Sequence, residues 1–166
     1  MDSRGLPGSW SSTGNLLEAI AFAAKDAVRR FVWDGASPGH RSAMWPIEAS
    51  VDHLPSGQPR LLAPDALTDL PLSIAHTEWL AVAIVGEPGG PGVGIDIERI
   101  EERSPRFASL TLADAERVLL PDPTDTDLTR AWAVKEAAAK AAGTGFEGRP
   151  KQFEITAIDG TVHRVT

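Results

Sequence analysis

Along the first third of the chain, apolar residues recur at helical spacing. Leu16, Ile20, Ala23, Ala24, Ala27, Val28 and Phe31 share one stripe, which predicts a helix over about residues 16–33 with Asn15 as its N-cap. The Gly- and Ser-rich residues Met1 to Thr13 read as a flexible tail, and DGASPGH ends the helix. Downstream the period falls to two. MWPIEASVDHL is a short strand candidate, with Pro46 near its start as on an edge strand. SGQPRLL and APDALTDLP read as turn and loop, while LSIAH and WLAVAIV, up to Val85, predict two short strands or one bent one. EPGGPG is a turn. In VGIDIERI, Val93, Ile95 and Ile97 alternate with Gly94, Asp96 and Glu98, which predicts a strand forming a hairpin with the one before it.

Beyond that point helices return. Thr111 with Asp114 opens a short helix, TLADAERVLL, in a capping-box-like start, and PDPTDTD breaks it. A second helix is predicted over about residues 127–142, stopped by Gly143 and Gly145. QFEITAI, DG and TVHRV then predict a closing hairpin. Helices and strands mix without a βαβ rhythm, so the fold class is α+β.

Composition narrows the picture. With 166 residues and 42% hydrophobic content, the chain suffices for one domain with its own core. It contains no cysteine, which rules out disulfides and thiolate metal sites. Its N-terminus lacks the basic start and apolar stretch of a secretory signal. No apolar run approaches the roughly 18–20 residues a membrane span requires, and a cytoplasmic protein is expected. The net charge of -7 argues against a nucleic-acid binder. A local basic cluster still suits an anionic ligand. Lys25, Arg29 and Arg30 form one such group; Lys135, Lys140, Arg149 and Lys151 form another.

Three stretches carry candidate chemistry. On a strand, Asp96 and Glu98 would point the same way, about 7 Å apart at the Cα atoms. A solvated sheet face would explain an isolated pair of this kind. Gly94 just before them leaves the backbone open to close approach by a ligand. In RAWAVKEAAAKAAGTG, Trp132, Glu136 and Lys140 stack at i, i+4 and i+8, with Lys135 beside Glu136; a solvated Glu–Lys pair on an alanine-rich helix accounts equally for these residues in isolation. Brought near Asp96 and Glu98, Glu136 would complete an oxygen-rich site of the kind Mg²⁺ prefers. In LSIAHTEW, His76 ends a strand. Ser73 and His76 invite a nucleophile reading, but no acid partner or G-x-S-x-G context supports a hydrolase triad.

LSIAHT, VGIDIERI and WAVKEAAAKAAGTG, in this order and at these separations, resemble the 4′-phosphopantetheinyl transferase superfamily. Its members move the phosphopantetheine arm of coenzyme A onto a serine of a carrier protein. MWPIEASVDHLPSGQPRL resembles the strand and G-x-P-x-L turn of the larger, pseudo-dimeric branch, with Gly57, Pro59 and Leu61 in the turn positions. The resemblance covers about residues 25–153. It implies a domain over 14–166 with halves at about 14–86 and 91–166, acting as a monomer.

The resemblance also implies roles. Asp96 and Glu98 match the metal pair, and Glu136 the third acidic position, ligand to the metal or base towards the incoming serine. Lys140 matches the lysine that contacts the coenzyme A phosphates and assists the leaving group. Lys135 is the adjacent basic position, and His76 matches the histidine near the 3′-phosphate. Lys25, Arg29 and Arg30 are further candidates for that phosphate by position. Mg²⁺, with Mn²⁺ as a substitute, and coenzyme A are the implied cofactor and co-substrate; an acyl or peptidyl carrier protein is the implied partner. Ala75 stands where the family commonly has Ser, and Gln58 where it commonly has a basic residue, with Arg60 nearby to compensate. The chain is short for this branch, and a domain belonging to a polyketide or fatty-acid synthase is expected. Two other readings use the same residues: a non-catalytic docking module for carrier proteins, and a metal-dependent phosphohydrolase.

Overall fold

The structure is a computed structural model, and it describes residues 12–35, 50–62 and 70–166. The tail reading for residues 1–11, Pro46, and most of APDALTDLP lie outside those residues. Helix α1 (Ser12–Gly35) starts earlier than its apolar stripe suggests, so Asn15 lies inside the helix and is not its N-cap. Ala24 and Val28, one turn apart, are buried against a hairpin of β3 (Leu72–His76) and β4 (Ala81–Val85). That hairpin is antiparallel, from Leu72 opposite Val85 to His76 opposite Ala81. Both strands match the sequence reading. β1 (Ser50–His53) and β2 (Pro59–Leu62) form a second hairpin. Part of SGQPRLL, read as turn alone, is therefore strand. Pro59 sits at its first position, where a missing N–H is tolerated, and Leu61 is buried beyond it.

VGIDIERI departs most from expectation. Among the described residues it joins no sheet, and β4 pairs with β3 instead. The cause lies in its glycines. A Cβ on Gly92 would overlap the Ala141 carbonyl oxygen, and one on Gly94 the Ala137 carbonyl oxygen. The segment thus lies directly on a helix backbone instead of beside a strand. A side chain takes the place of a ladder bond: Ile95 N–H donates to Ser73 Oγ at 3.1 Å.

The helix it lies on is α4 (Asp125–Ala141), which follows α2 (Phe107–Thr111) and α3 (Asp114–Leu119). The expected cap at Thr111 and Asp114 is replaced. Thr111 closes α2, its hydroxyl donating to the Phe107 carbonyl at 2.8 Å. Glu116 opens α3 by accepting from Ala113 N–H at 2.6 Å. Thr124 caps α4: its Oγ1 accepts from Asp127 N–H, and Asp127 Oδ2 accepts from Thr124 N–H. Gly143 and Gly145, at φ +73 and +62, end α4 as the sequence predicts.

After a 3₁₀ turn (Pro150–Gln152), β5 (Ile155–Asp159) and β6 (Val162–Val165) pair as expected. Leu112, Leu128, Ala131 and Ile155 form the core of this half; burying each larger side chain contributes about 1.5–3 kcal/mol. Among the described residues, helices with three small antiparallel sheets make the fold α+β. Among the described residues, no helix is long and apolar enough to cross a membrane.

Candidate functional site

Helix α4 separates two environments. Leu128, Ala131, Lys135 and Ala139 are buried, a stripe at i, i+3, i+7 and i+11 that faces the C-terminal core. Trp132, Glu136 and Lys140 form the neighbouring stripe, at half-buried positions. The backbone of residues 92–96 lies along that second face, because Gly92 and Gly94 admit it to the helix carbonyls.

This contact sets Asp96 opposite Lys140. Lys140 Nζ donates to Asp96 Oδ1 at 2.6 Å and to the Ile95 carbonyl at 3.2 Å. The same ammonium lies 3.7 Å from Glu136 Oε2. Glu98 is anchored separately. Its Oε1 accepts from Trp132 Nε1–H at 3.2 Å, and Arg103 stands 3.6 Å from its Oε2. Arg103 is itself held by Thr129 Oγ1 and lies over the Phe107 ring, 4.8 Å from its centroid. Trp132 sits between Phe107 and Phe146, with centroids 5.7 and 4.9 Å away.

The electrostatics of this cluster are unbalanced. Burial, then the charge of Asp96, then that of Glu98, push the Glu136 pKa above its ordinary value, with Lys140 pulling it back. Asp96 Oδ2 is buried and accepts no hydrogen bond. Such an atom costs free energy unless something positive satisfies it. Among the described residues no trio of acidic or histidine side chains stands at metal-holding spacing in this conformation. Lys140 bridges Asp96 and Glu136 instead. The donor chemistry nevertheless suits a hard divalent cation: Asp96 and Glu136 flank Lys140, the charge of Glu98 reaches Glu136, and one buried Asp96 oxygen is left over.

A cavity of about 440 Å³ opens beside Lys140, and His53, Gln58, Ser73, His76 and Gly143 are among its lining residues. His76 is exposed at the end of β3. The turn carrying Gly57 and Pro59 also lines this cavity, and Gln58 reaches Gly143, where a Cβ would stand 3.3 Å from its Oε1. Leu61 is buried behind the turn.

One expectation needs correcting, and three further candidates stand apart from this cavity. Lys135 is completely buried, its ammonium 2.6 Å from Glu116 Oε2 and bonded to the Thr111 and Pro150 carbonyls. It faces the core and is closed to a coenzyme. Lys25 and Arg29 do not line the cavity, to which α1 contributes Ile20; Arg30 instead pairs with Asp26 at 2.7 Å.

The sequence reading missed Arg103 and Glu116. Arg103 sits five residues beyond Glu98, a spacing that carries no signal outside a helix. Glu116 lies in the first turn of α3, but the sequence pattern opens that helix three residues earlier, at Thr111.

Residues 92–166 match the 4′-phosphopantetheinyl transferase superfamily. The match covers just under half of the chain and includes Asp96, Glu98, Glu136 and Lys140. It agrees with the resemblance in VGIDIERI and WAVKEAAAKAAGTG, does not extend to LSIAHT or the Gly57–Leu61 turn, and supports phosphopantetheinyl transfer in general. Among curated proteins, none matches the chain.

Proposed function

We propose that the chain transfers the 4′-phosphopantetheine arm of coenzyme A to a serine of an acyl or peptidyl carrier protein, with Mg²⁺, leaving adenosine 3′,5′-bisphosphate. The observation that carries this reading is the unbalanced negative charge around Lys140, which lines the cavity. Asp96 and Glu98 raise the pKa of Glu136, and Asp96 Oδ2 has no hydrogen-bond partner among the described residues. These three side chains would hold Mg²⁺, or Mn²⁺ in its place; when bound, the ion supplies positive charge against the coenzyme pyrophosphate.

The remaining work falls to this chain's own groups. Glu136 serves as ligand to the ion or as base towards the carrier serine, and in the second role it takes the serine proton. The serine Oγ then bonds to the β-phosphorus as the bond from that phosphorus to the bridging oxygen breaks. The bisphosphate departs with the bridging oxygen and the electron pair. Lys140, partly exposed at the cavity edge, moves from Asp96 to the phosphate and offsets the growing charge. His76, which also lines the cavity, contacts a coenzyme phosphate. The reading further takes the two halves, about 14–86 and 91–166, as a monomeric pseudo-dimer.

Incubation with coenzyme A, Mg²⁺ and an apo carrier protein tests it. The carrier should gain the mass of one phosphopantetheine. An unmodified carrier would overturn the reading, and coenzyme A cleavage without carrier modification would assign a phosphohydrolase.

A further inference from the structure

Lys135 and Glu136 are consecutive on α4 and about 100° apart around its axis. One faces the core and the other the candidate site. Lys135 spends its three ammonium protons on Glu116 Oε2 (2.6 Å), the Thr111 carbonyl (2.8 Å) and the Pro150 carbonyl (3.3 Å). Glu116 in turn accepts from Ala113 N–H at 2.6 Å and, through its other oxygen, from Ile155 N–H at 2.8 Å. The end of α2, the start of α3, the 3₁₀ turn and β5 all meet at the ion pair of Lys135 and Glu116.

Stability is a poor reason for this arrangement. A buried ion pair is often replaced by apolar groups of similar volume with no loss of stability. What such a pair adds is direction, since each of its hydrogen bonds fails if α4 rotates. Side-chain ends lie about 5–6 Å from a helix axis, so a rotation of about 20° would displace Glu136 and Lys140 by about 2 Å. Catalytic groups need placement to about 0.5 Å. The opposite side of α4 is fixed by Gly92 and Gly94 against the Ala141 and Ala137 carbonyls.

We infer that Lys135 and Glu116 are positioning residues: they set the rotation of α4, and so hold Glu136 and Lys140 in register with Asp96. This inference rests on the transfer function proposed above.

The test uses the charge-free double variant E116Q/K135M, in which the glutamine amide keeps an acceptor for Ile155 N–H and the methionine keeps the volume of the lysine stem. With wild type as reference, thermal melting confirms folding. The variant should fold, lose at least about tenfold in kcat, and change KM for coenzyme A less than about threefold. The Mn²⁺ affinity read by electron paramagnetic resonance, without carrier, should weaken at least about fivefold. A folded variant with kcat and Mn²⁺ affinity within about threefold of wild type overturns the inference, as does a loss that merely tracks the folded fraction. If the double variant does not fold, E116D, which retains both charges and draws the carboxylate back by one methylene, is judged by the same criteria. A wild type that binds Mn²⁺ yet transfers nothing sinks the function alone, because the Mn²⁺ comparison still decides the positioning role.

Discussion

Helix α4 carries two lysine–carboxylate pairs of the same length. Lys135 and Glu116 meet at 2.6 Å, and so do Lys140 and Asp96. Their surroundings differ in every other respect. The first pair is sealed, at 0% and 1% side-chain exposure, and all of its hydrogen-bonding capacity towards backbone is used. The second pair is open on the lysine side, at 28% exposure, and leaves Asp96 Oδ2 buried without a partner. A third carboxylate, Glu136, lies within 3.7 Å of the same ammonium. Distance alone therefore says little about what an ion pair does. Saturation marks the structural pair, and a surplus of unneutralised oxygen marks the one at which chemistry is expected.

Substitution on each pair should separate these roles. Asp96→Asn should reduce transfer about 10³-fold, the several kcal/mol that a metal-centred site supplies. Its melting temperature should stay within a few degrees of wild type, because Lys140 can turn to solvent. Lys135→Met alone should in addition destabilise the fold, by about 3–5 kcal/mol, because Glu116 is left charged and buried. Urea titration reads that loss. Equal stability losses in the two variants would erase the distinction.

The contact that brings Asp96 to Lys140 can be broken without touching either residue. Gly94→Ala places a methyl group against the Ala137 carbonyl and should cost about 1–3 kcal/mol. Transfer should fall together with stability. An alanine variant as active as wild type would show that the segment does not need to lie on the helix. A smaller effect belongs to the entry of α4: Thr124→Ala removes the N-cap and should cost about 1 kcal/mol in urea titration, with kcat unchanged. A fall in kcat there would mean that the first turn of α4 also positions the site.

The smallest expected effect is in pH. Burial together with Asp96 and Glu98 raises the Glu136 pKa from its ordinary 4.5, so the folded chain binds that proton more tightly than the unfolded chain. The resulting stabilisation is present below the ordinary value and is lost as pH rises through the folded pKa. Stability curves with and without Mg²⁺ should separate just above that value, and Glu136→Gln should remove the difference. Superimposed curves for wild type would count against convergence of the three carboxylates.

Much of this was legible in the residues. The short apolar runs of β3 and β4, the stripe of α1 and the glycine stop after α4 each follow from a local rule that the fold obeys. Asp96, Glu98, Glu136, Lys140 and His76 were also singled out before any geometry was known. VGIDIERI misled because its period-two pattern satisfies the strand rule, while its glycines serve close packing on a helix formed more than 30 residues later. Lys135 misled for a related reason. Its neighbour Glu136 faces the site, but one step along a helix turns a side chain by about 100°, and only the buried acceptors Glu116, Thr111 and Pro150 reveal its direction. Glu116 was hidden because a carboxylate in the first turn of a helix is ordinarily a surface cap.

The most direct test of the site is a count of bound ions. Mn²⁺ titration followed by electron paramagnetic resonance, with and without coenzyme A, should show one ion per chain in the wild type and a loss of that site in Asp96→Asn. Absence of bound Mn²⁺ under both conditions, or undiminished binding by the Asn variant, would contradict a cation site built from Asp96, Glu98 and Glu136.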